Sequence, residues 1–594
     1  MLKRRIFFLT IFVSFFVLIG LANSQAAGKF STEVTREYWV QEDFSVRVKE
    51  TEKVTNNTSN LYIPSGSEKQ YDILAIEIGN EKNKEILQRS VDTATLKYGS
   101  GSSLNFTSQI KDDLATLKVS FPKDLNPGQS ITFTFEYTHF GMVEKNGSLV
   151  DVFLNGFAED SVFSDSRNTT SYNTHIYVPV GFPQENFVVP KGATKSQSGA
   201  NMRYSFSQDQ LLGNYVWIQL GRSQIFKFNI SQKVNASEGL NTGNQNRYEI
   251  VIPRSIDEAQ VKQTIYYTNI SPAPDWIKED EEGNLLASFK LKSNFEGEIV
   301  LEGYAALEMK DGVNITNFGS LDEIDSVSMA RYLGSAQYWE VTDPTISSKA
   351  TSLKASEVDI YKLVANTYQF VVDQIDYSEV KRFGLNERQG AAKTLEGGSA
   401  VCMEYSDLFL SLMRAQGVPA RAAFGYGYDP KLPSEEQEGH QWVEVYSPTL
   451  DKWVSIDVTW GESGPALIGG DLNHFYTHIA AVSPNEPPGI ASVGFGDLNL
   501  EPASYDIDVL ESMAEEEWMT TEDLLQKYPY TGSGIADDAL DLVRSKLEAT
   551  FTNLRDGEEL SSDQILILVA IGSVGFGGLV ISGGLFRKLV KERK

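Results

Sequence analysis

A chain of 594 residues with a single cysteine, Cys402, has no disulfide to hold it together. It must be held by packed apolar cores, and its 41% of hydrophobic residues supply the surface for several. At roughly 150 residues per domain the length allows about four. The cysteine count also excludes Cys-rich zinc modules and CxxC redox motifs. The 80 acidic and 52 basic side chains leave a net charge of -28, the wrong sign for a nucleic-acid surface. The lone thiol is therefore either core filler or a reagent.

The two ends predict a compartment. Lys3, Arg4 and Arg5, an uncharged run from Ile6 to Leu21, and small residues at Ser24 and Ala26 make residues 1–26 a secretory signal. Residues 565–586 carry no charge and, at about 1.5 Å per residue, would cross a hydrocarbon core of about 30 Å. The basic tail 587–594 follows and marks the cytoplasmic side. The expectation is a single-pass cell-membrane protein with its body outside and a short tail inside.

Between the ends, residues 27–240 read as a β-sandwich region. Phe44–Lys49 and Ile131–Tyr137 alternate apolar and polar, and Asn-Gly, Pro-Gly and Ser-Gly pairs punctuate the runs. A second β domain is expected over 241–325, with a turn at Asp280–Asn284. From about Ser356 the period changes to helical. Ser356 and Asp359 look like a capping start, and Tyr361, Val364, Tyr368, Val371 and Ile375 fall on one stripe. A further helix is expected from about Ala400 to Gln416, ending at Gly417. Residues 442–460 return to alternation as a hairpin, within a domain spanning 326–500. Residues 501–564 hold 17 acidic and 4 basic side chains and read as a solvated stalk.

The chemistry centres on Cys402. Glycines at 397 and 398 precede a helix start, so the thiol falls in the first helical turn. Amide dipoles there favour an anion, and free N–H groups could hold an oxyanion. The rival is that Cys402 continues the buried stripe of Tyr405 and Phe409. A thiolate mechanism also needs a base and a group to orient it. His440 and Asp457 lie on the two arms of the hairpin around Ser447–Lys452. If paired numbers sum to 897 they face each other directly, and at 899 they are diagonal neighbours within reach of an Nδ1–H bond. A sum of 898 puts them on opposite faces and excludes the arrangement.

Two lesser candidates fall away. His474 and His478 have i, i+4 spacing suited to zinc on a helix, but no third ligand accompanies them, and no metal or cofactor is expected. Glu435, Glu436 and Glu438 read as a solvated flap before His440, with a role in meeting substrate charge as the alternative.

Three blocks in order resemble the transglutaminase-like superfamily over about 361–461, with flanks to about 497. They are Thr394-Leu…Gly398-Ser-Ala-Val-Cys402-Met-Glu-Tyr-Ser running on to Arg421, His440-Gln-Trp-Val-Glu-Val-Tyr446, and Trp453-Val-Ser-Ile-Asp-Val-Thr-Trp-Gly461. The resemblance implies an α+β, papain-like core in which Cys402, His440 and Asp457 form a catalytic triad. Cys402 would attack an amide carbonyl, His440 would move the proton, and water or an amine would resolve the thioester. The implied partner is a peptide or protein amide, a cell-envelope component among the candidates. Gln441 and Val458 depart from the usual Ala and Pro, and both are expected to point away from the His440/Asp457 face. The rival reading is a cell-surface binding or adhesion protein whose transglutaminase-like core is not catalytic.

Overall fold

The computed structural model describes residues 30–553 except 77–81, 155–167, 191, 212–214, 237–245, 292–295, 384–386, 429–438, 461–466, 488–489, 494–497, 501–502, 533–546 and 549. The expected signal segment 1–26, the apolar segment 565–586, the tail 587–594 and the loop carrying Glu435, Glu436 and Glu438 lie outside the described residues. Among the described residues no helix is long and apolar enough to cross a membrane.

The N-terminal region is strand-rich. Ser130–His139 shows why: its buried and less buried residues alternate, and Ile131, Phe133, Phe135 and Tyr137 face inward. It lies between Val46–Asn56 and Thr95–Tyr98 in an eight-stranded sheet. A three-stranded sheet around Leu114–Ser120 and a four-stranded sheet around Val216–Leu220 share one apolar core with it. Ile73, Leu117 and Ile218 are fully buried there.

The sandwich region ends earlier than residue 240. Strand Ser223–Ala236 pairs along its length with Glu296–Met309, in the second β unit. Strand alternation is the same in either sheet, so the pattern cannot tell which partner a strand will take. The second unit also reaches further along the chain than residue 325. Ile490–Val493 pairs with Asn246–Ile252, and Leu498–Leu500 with Ser223–Ala236, so the α+β core is an insertion in a β sandwich.

The acidic stalk expected from residue 501 is corrected in its described first part. Ser504–Leu510 pairs with Ser223–Ala236, and Met519–Thr520 with Val261–Ser271. The helix Thr521–Lys527 buries Leu524, and Tyr304 hydrogen-bonds Glu516. The reason lies in the alternation: Asp506 and Asp508 are exposed while Ile507 between them is buried. A charge count over the segment conceals a strand with one apolar face.

The inserted core has a five-stranded antiparallel sheet in the order Leu467–Ile468, Lys452–Asp457, Gly439–Ser447, Ala420–Gly427, His474–Ala480. Helices Pro344–Lys354, Ile360–Gln374, Ala391–Leu395 and Cys402–Gln416 share its apolar core. Ile360–Gln374 is capped by Asp359, whose carboxylate accepts from Lys362 N, rather than by Ser356. It buries Leu363, Val364, Thr367, Tyr368 and Val371. Cys402–Gln416 ends at Gly417 with φ +91°, a conformation that favours glycine.

Candidate active site

Cys402 is the first residue of its helix and is partly exposed. The start is fixed from inside. Fully buried Glu404 accepts Val401 N at 3.1 Å and Gln389 N at 3.1 Å, while Lys381 pairs with it at 2.7 Å. Glu404 N and Tyr405 N donate to the Val401 carbonyl at 3.0 and 3.2 Å, while the Cys402 and Met403 amides stand at the helix start, ahead of any i−4 acceptor within it. Their dipoles favour negative charge at Sγ.

The hairpin takes one of the two permitted registers. Val443 pairs with Ile456, Glu444 with Ser455 and Val445 with Val454, so paired numbers sum to 899. His440 and Asp457 are thus diagonal neighbours on one face. The bond differs from expectation, because Nε2 of His440, not Nδ1, meets Asp457 Oδ2 at 3.1 Å. Cys402 interacts with the same ring, and with Nε2 turned to Asp457 the nitrogen left for the thiol is Nδ1. Asp457 is itself held, with Oδ1 accepting Thr459 N at 2.9 Å and Trp460 N at 3.3 Å. Tyr368 on the preceding helix donates to the Asp457 carbonyl at 2.9 Å. Ser406 on the cysteine helix donates to the Gln441 carbonyl at 2.9 Å, tying the thiol and the imidazole to one frame.

The two departures from the family pattern lie in packing positions. Gln441 Oε1 accepts from Arg388 at 3.1 Å, and Arg388 grips buried Asp407 with two nitrogens at 2.8 and 2.6 Å. Val458 is buried in the domain's apolar core.

His474 is the residue that sequence reasoning undervalued. It lies on a strand, its Nε2 is 3.1 Å from Asp457 Oδ2, and its Nδ1 is 2.6 Å from Asp471 Oδ1. One carboxylate oxygen therefore serves two imidazoles, in the chain His440–Asp457–His474–Asp471. The strand Ala420–Gly427 lies between the two histidine strands, with Gly425 opposite His440 and Gly427 opposite His474. A Cβ at Gly427 would lie 2.7 Å from Trp460 and 3.3 Å from the His440 ring, so glycine leaves the room in which the rings meet. Trp460 lies 4.5 Å and Trp442 4.9 Å from the His474 ring. The only hint in sequence was Asp471-x-x-His474, whose meaning depends on strand order.

Electrostatics follow from this packing. Burial would lower the His440 imidazole, but the Asp457 charge and hydrogen bond, then Cys402, raise it well above its usual range. Burial likewise opposes His474, while Asp471 and Asp457 raise it. Burial would raise Asp457, yet the two histidines hold it below the ordinary carboxylate range. His478 is elsewhere in charge and contact: it stacks on Phe424 at 4.7 Å, and burial pushes it down to about 4. The two histidines weighed for zinc therefore do not converge.

His440, Asp457 and His474 place ligating atoms within 4.8 Å of one another, the one such group among the described residues. Their hydrogen bonds to each other account for all three, and a cation there would displace both Nε2 protons. In front of Cys402 and His440 lies a cavity of about 360 Å³, walled by Tyr377, Arg382, Phe424, Tyr426, His478 and Tyr505. Tyr505 comes from the segment expected to be a stalk, and packs on Tyr426 at 4.6 Å.

Residues 347–458 match the family model described as the transglutaminase-like superfamily, so this part of the chain is a transglutaminase-like domain. No curated protein matches the chain. Among solved structures, a candidate cysteine protease from Cytophaga hutchinsonii is similar at 12% identity and TM-score 0.34, over 51% of this chain and 96% of its own. The periplasmic domain of TgpA from Pseudomonas aeruginosa is similar at 16% identity and TM-score 0.23, over 40% of this chain and 91% of its own.

Proposed function

We propose that the chain is a membrane-anchored, extracytoplasmic thiol enzyme that acts on amide bonds through a Cys402 acyl-enzyme. The observation that carries this reading is the meeting of Cys402 and His440 at one cavity, with Asp457 bonded to the far side of the imidazole, in a domain of the transglutaminase-like superfamily. His440 Nδ1 takes the thiol proton and Sγ bonds to the carbonyl carbon. The Cys402 amide, at the start of the cysteine helix, is the donor offered to the tetrahedral oxyanion. The C–N bond then breaks, and the departing nitrogen leaves with the proton that His440 held. Water attacking the thioester, its proton passing to His440, releases a carboxylic acid and the free thiol. An amine taking the place of water would give a new amide. Asp457 keeps the His440 ring oriented and supports its charge in each transfer.

The substrate is a peptide or protein amide in this reading, since the aromatic walls of the cavity suit an extended apolar side chain beside the scissile bond. Anchoring and an outward-facing body rest on the signal-like residues 1–26 and the apolar segment 565–586. The test is alkylation of the purified chain with iodoacetamide between pH 5 and 9. Rapid labelling of Cys402 at pH 6 that is lost in His440→Ala supports the enzyme. Labelling only above about pH 8, as in an ordinary free cysteine, leaves a binding protein instead.

A further inference from the structure

Each ring nitrogen of His474 faces a carboxylate oxygen, Nε2 that of Asp457 and Nδ1 that of Asp471. An ionised carboxylate only accepts hydrogen bonds, so both nitrogens must carry hydrogen, and such a ring is an imidazolium. Asp471 Oδ1 also accepts Asn473 N at 2.8 Å, which suits an ionised oxygen rather than one carrying the proton itself. The ring is 4% exposed and lies against Trp442 and Trp460, whose faces tolerate a cation. His440 is 5.4 Å away, ring to ring, and shares its oxygen. From the N-terminal region, Asp151 adds negative charge on the Asp471 side.

We propose that His474, backed by Asp471, is a positioning residue of the Cys402 site: a fixed imidazolium that pins Asp457 and limits its hold on the His440 proton. The inference rests on the enzyme reading above. Asp457 Oδ2 accepts from two rings, one of them already an imidazolium, so it stabilises a proton on His440 less than an unshared carboxylate would. The arrangement keeps His440 able to give its proton to a leaving amine, where an unshared carboxylate would retain it longer. Removing the positive ring tightens that hold.

The expected result is specific in sign. In His474→Gln, and equally in Asp471→Asn, the upper limb of the Cys402 profile with anionic iodoacetate, whose attack is favoured by the neighbouring imidazolium, moves to higher pH by about one unit. In both, the thiolate–imidazolium pair persists where the wild-type pair has already lost its proton. A purely structural role for His474 would lower reactivity at all pH values or weaken the fold without moving the limb. Profiles of the folded variants that superimpose on wild type overturn the proposal. A second measurement needs no variant protein to fold. The chain has five histidines, so ¹⁵N-histidine labelling of the wild-type protein resolves each ring. His474 should show two protonated nitrogens at pH 7.5, and a neutral ring there also overturns the proposal. If wild-type Cys402 shows no low-pH reactivity, the enzyme reading fails first; the ¹⁵N signature still decides the state of His474.

Discussion

His440 and Asp457 meet 3.1 Å apart, Nε2 to Oδ2, without being a directly opposed pair. The register puts them on a diagonal, and the carboxylate reaches it because Thr459 and Trp460 amides and the Tyr368 hydroxyl fix its backbone and second oxygen. Asp457→Asn keeps the shape and loses the charge. Alkylation of Cys402 at pH 6 should fall by about 10²-fold or more, with the profile moving toward that of a free thiol. A rate within about threefold of wild type would mean that the carboxylate does not support the imidazole.

Gly427 tests the room around the rings. A Cβ there meets the Trp460 ring at 2.7 Å and the His440 ring at 3.3 Å, neither of which can yield without moving the other. Gly427→Ala should therefore lose most low-pH alkylation while the melting temperature falls by only a few degrees. Preserved reactivity in a folded Gly427→Ala protein would show that the His440 ring has slack.

Asp407 is fully buried and takes two nitrogens of Arg388, with Trp339 at 2.9 Å. Arg388→Met leaves that carboxylate without its charge partner, a loss worth about 3–5 kcal/mol in urea unfolding. Adding Asp407→Asn should recover part of it, because the neutral amide needs no counter-charge.

Ile507 distinguishes a strand from a stalk. Its side chain is 1% exposed between Asp506 and Asp508. Ile507→Ala should cost about 2–4 kcal/mol by denaturant unfolding, against less than about 0.5 kcal/mol for a residue on a solvated stalk. Limited proteolysis should accordingly spare residues 504–510.

Glu258 is buried, and its carboxylate accepts the Tyr476 hydroxyl at 2.8 Å. Burial pushes it up to about 7, against the pull of Tyr476, Arg421, Arg254 and Lys310. The unfolded chain ionises it near pH 4.5, so between 4.5 and 7 the folded state binds more protons. This group's contribution to stability is therefore full at low pH and is lost as pH rises to about 7, by up to about 3 kcal/mol. Glu258→Gln should flatten that part of the stability–pH curve. An unchanged slope would show that Glu258 is ionised throughout.

The sequence by itself determined the local facts. It placed Cys402 at a helix start, because the glycines at 397 and 398 act within a few residues of it. It limited His440 and Asp457 to two workable registers, since strand alternation has a period of two. It showed a strand-rich N-terminal region and the three blocks of a transglutaminase-like domain. Tertiary structure decided what depends on partners distant in the chain. It chose the diagonal register, turned Nε2 rather than Nδ1 of His440 toward Asp457, and sent Ser223–Ala236 into the second sandwich. It brought Ser504–Leu510 back from an apparent stalk to wall the cavity. It also carried His474 across the Gly425–Gly427 strand to a carboxylate 17 residues away. The physical reason is common to all of these. Capping and alternation are short-range and leave a mark in composition, whereas strand order and shared hydrogen-bond acceptors exist only once separate segments have packed.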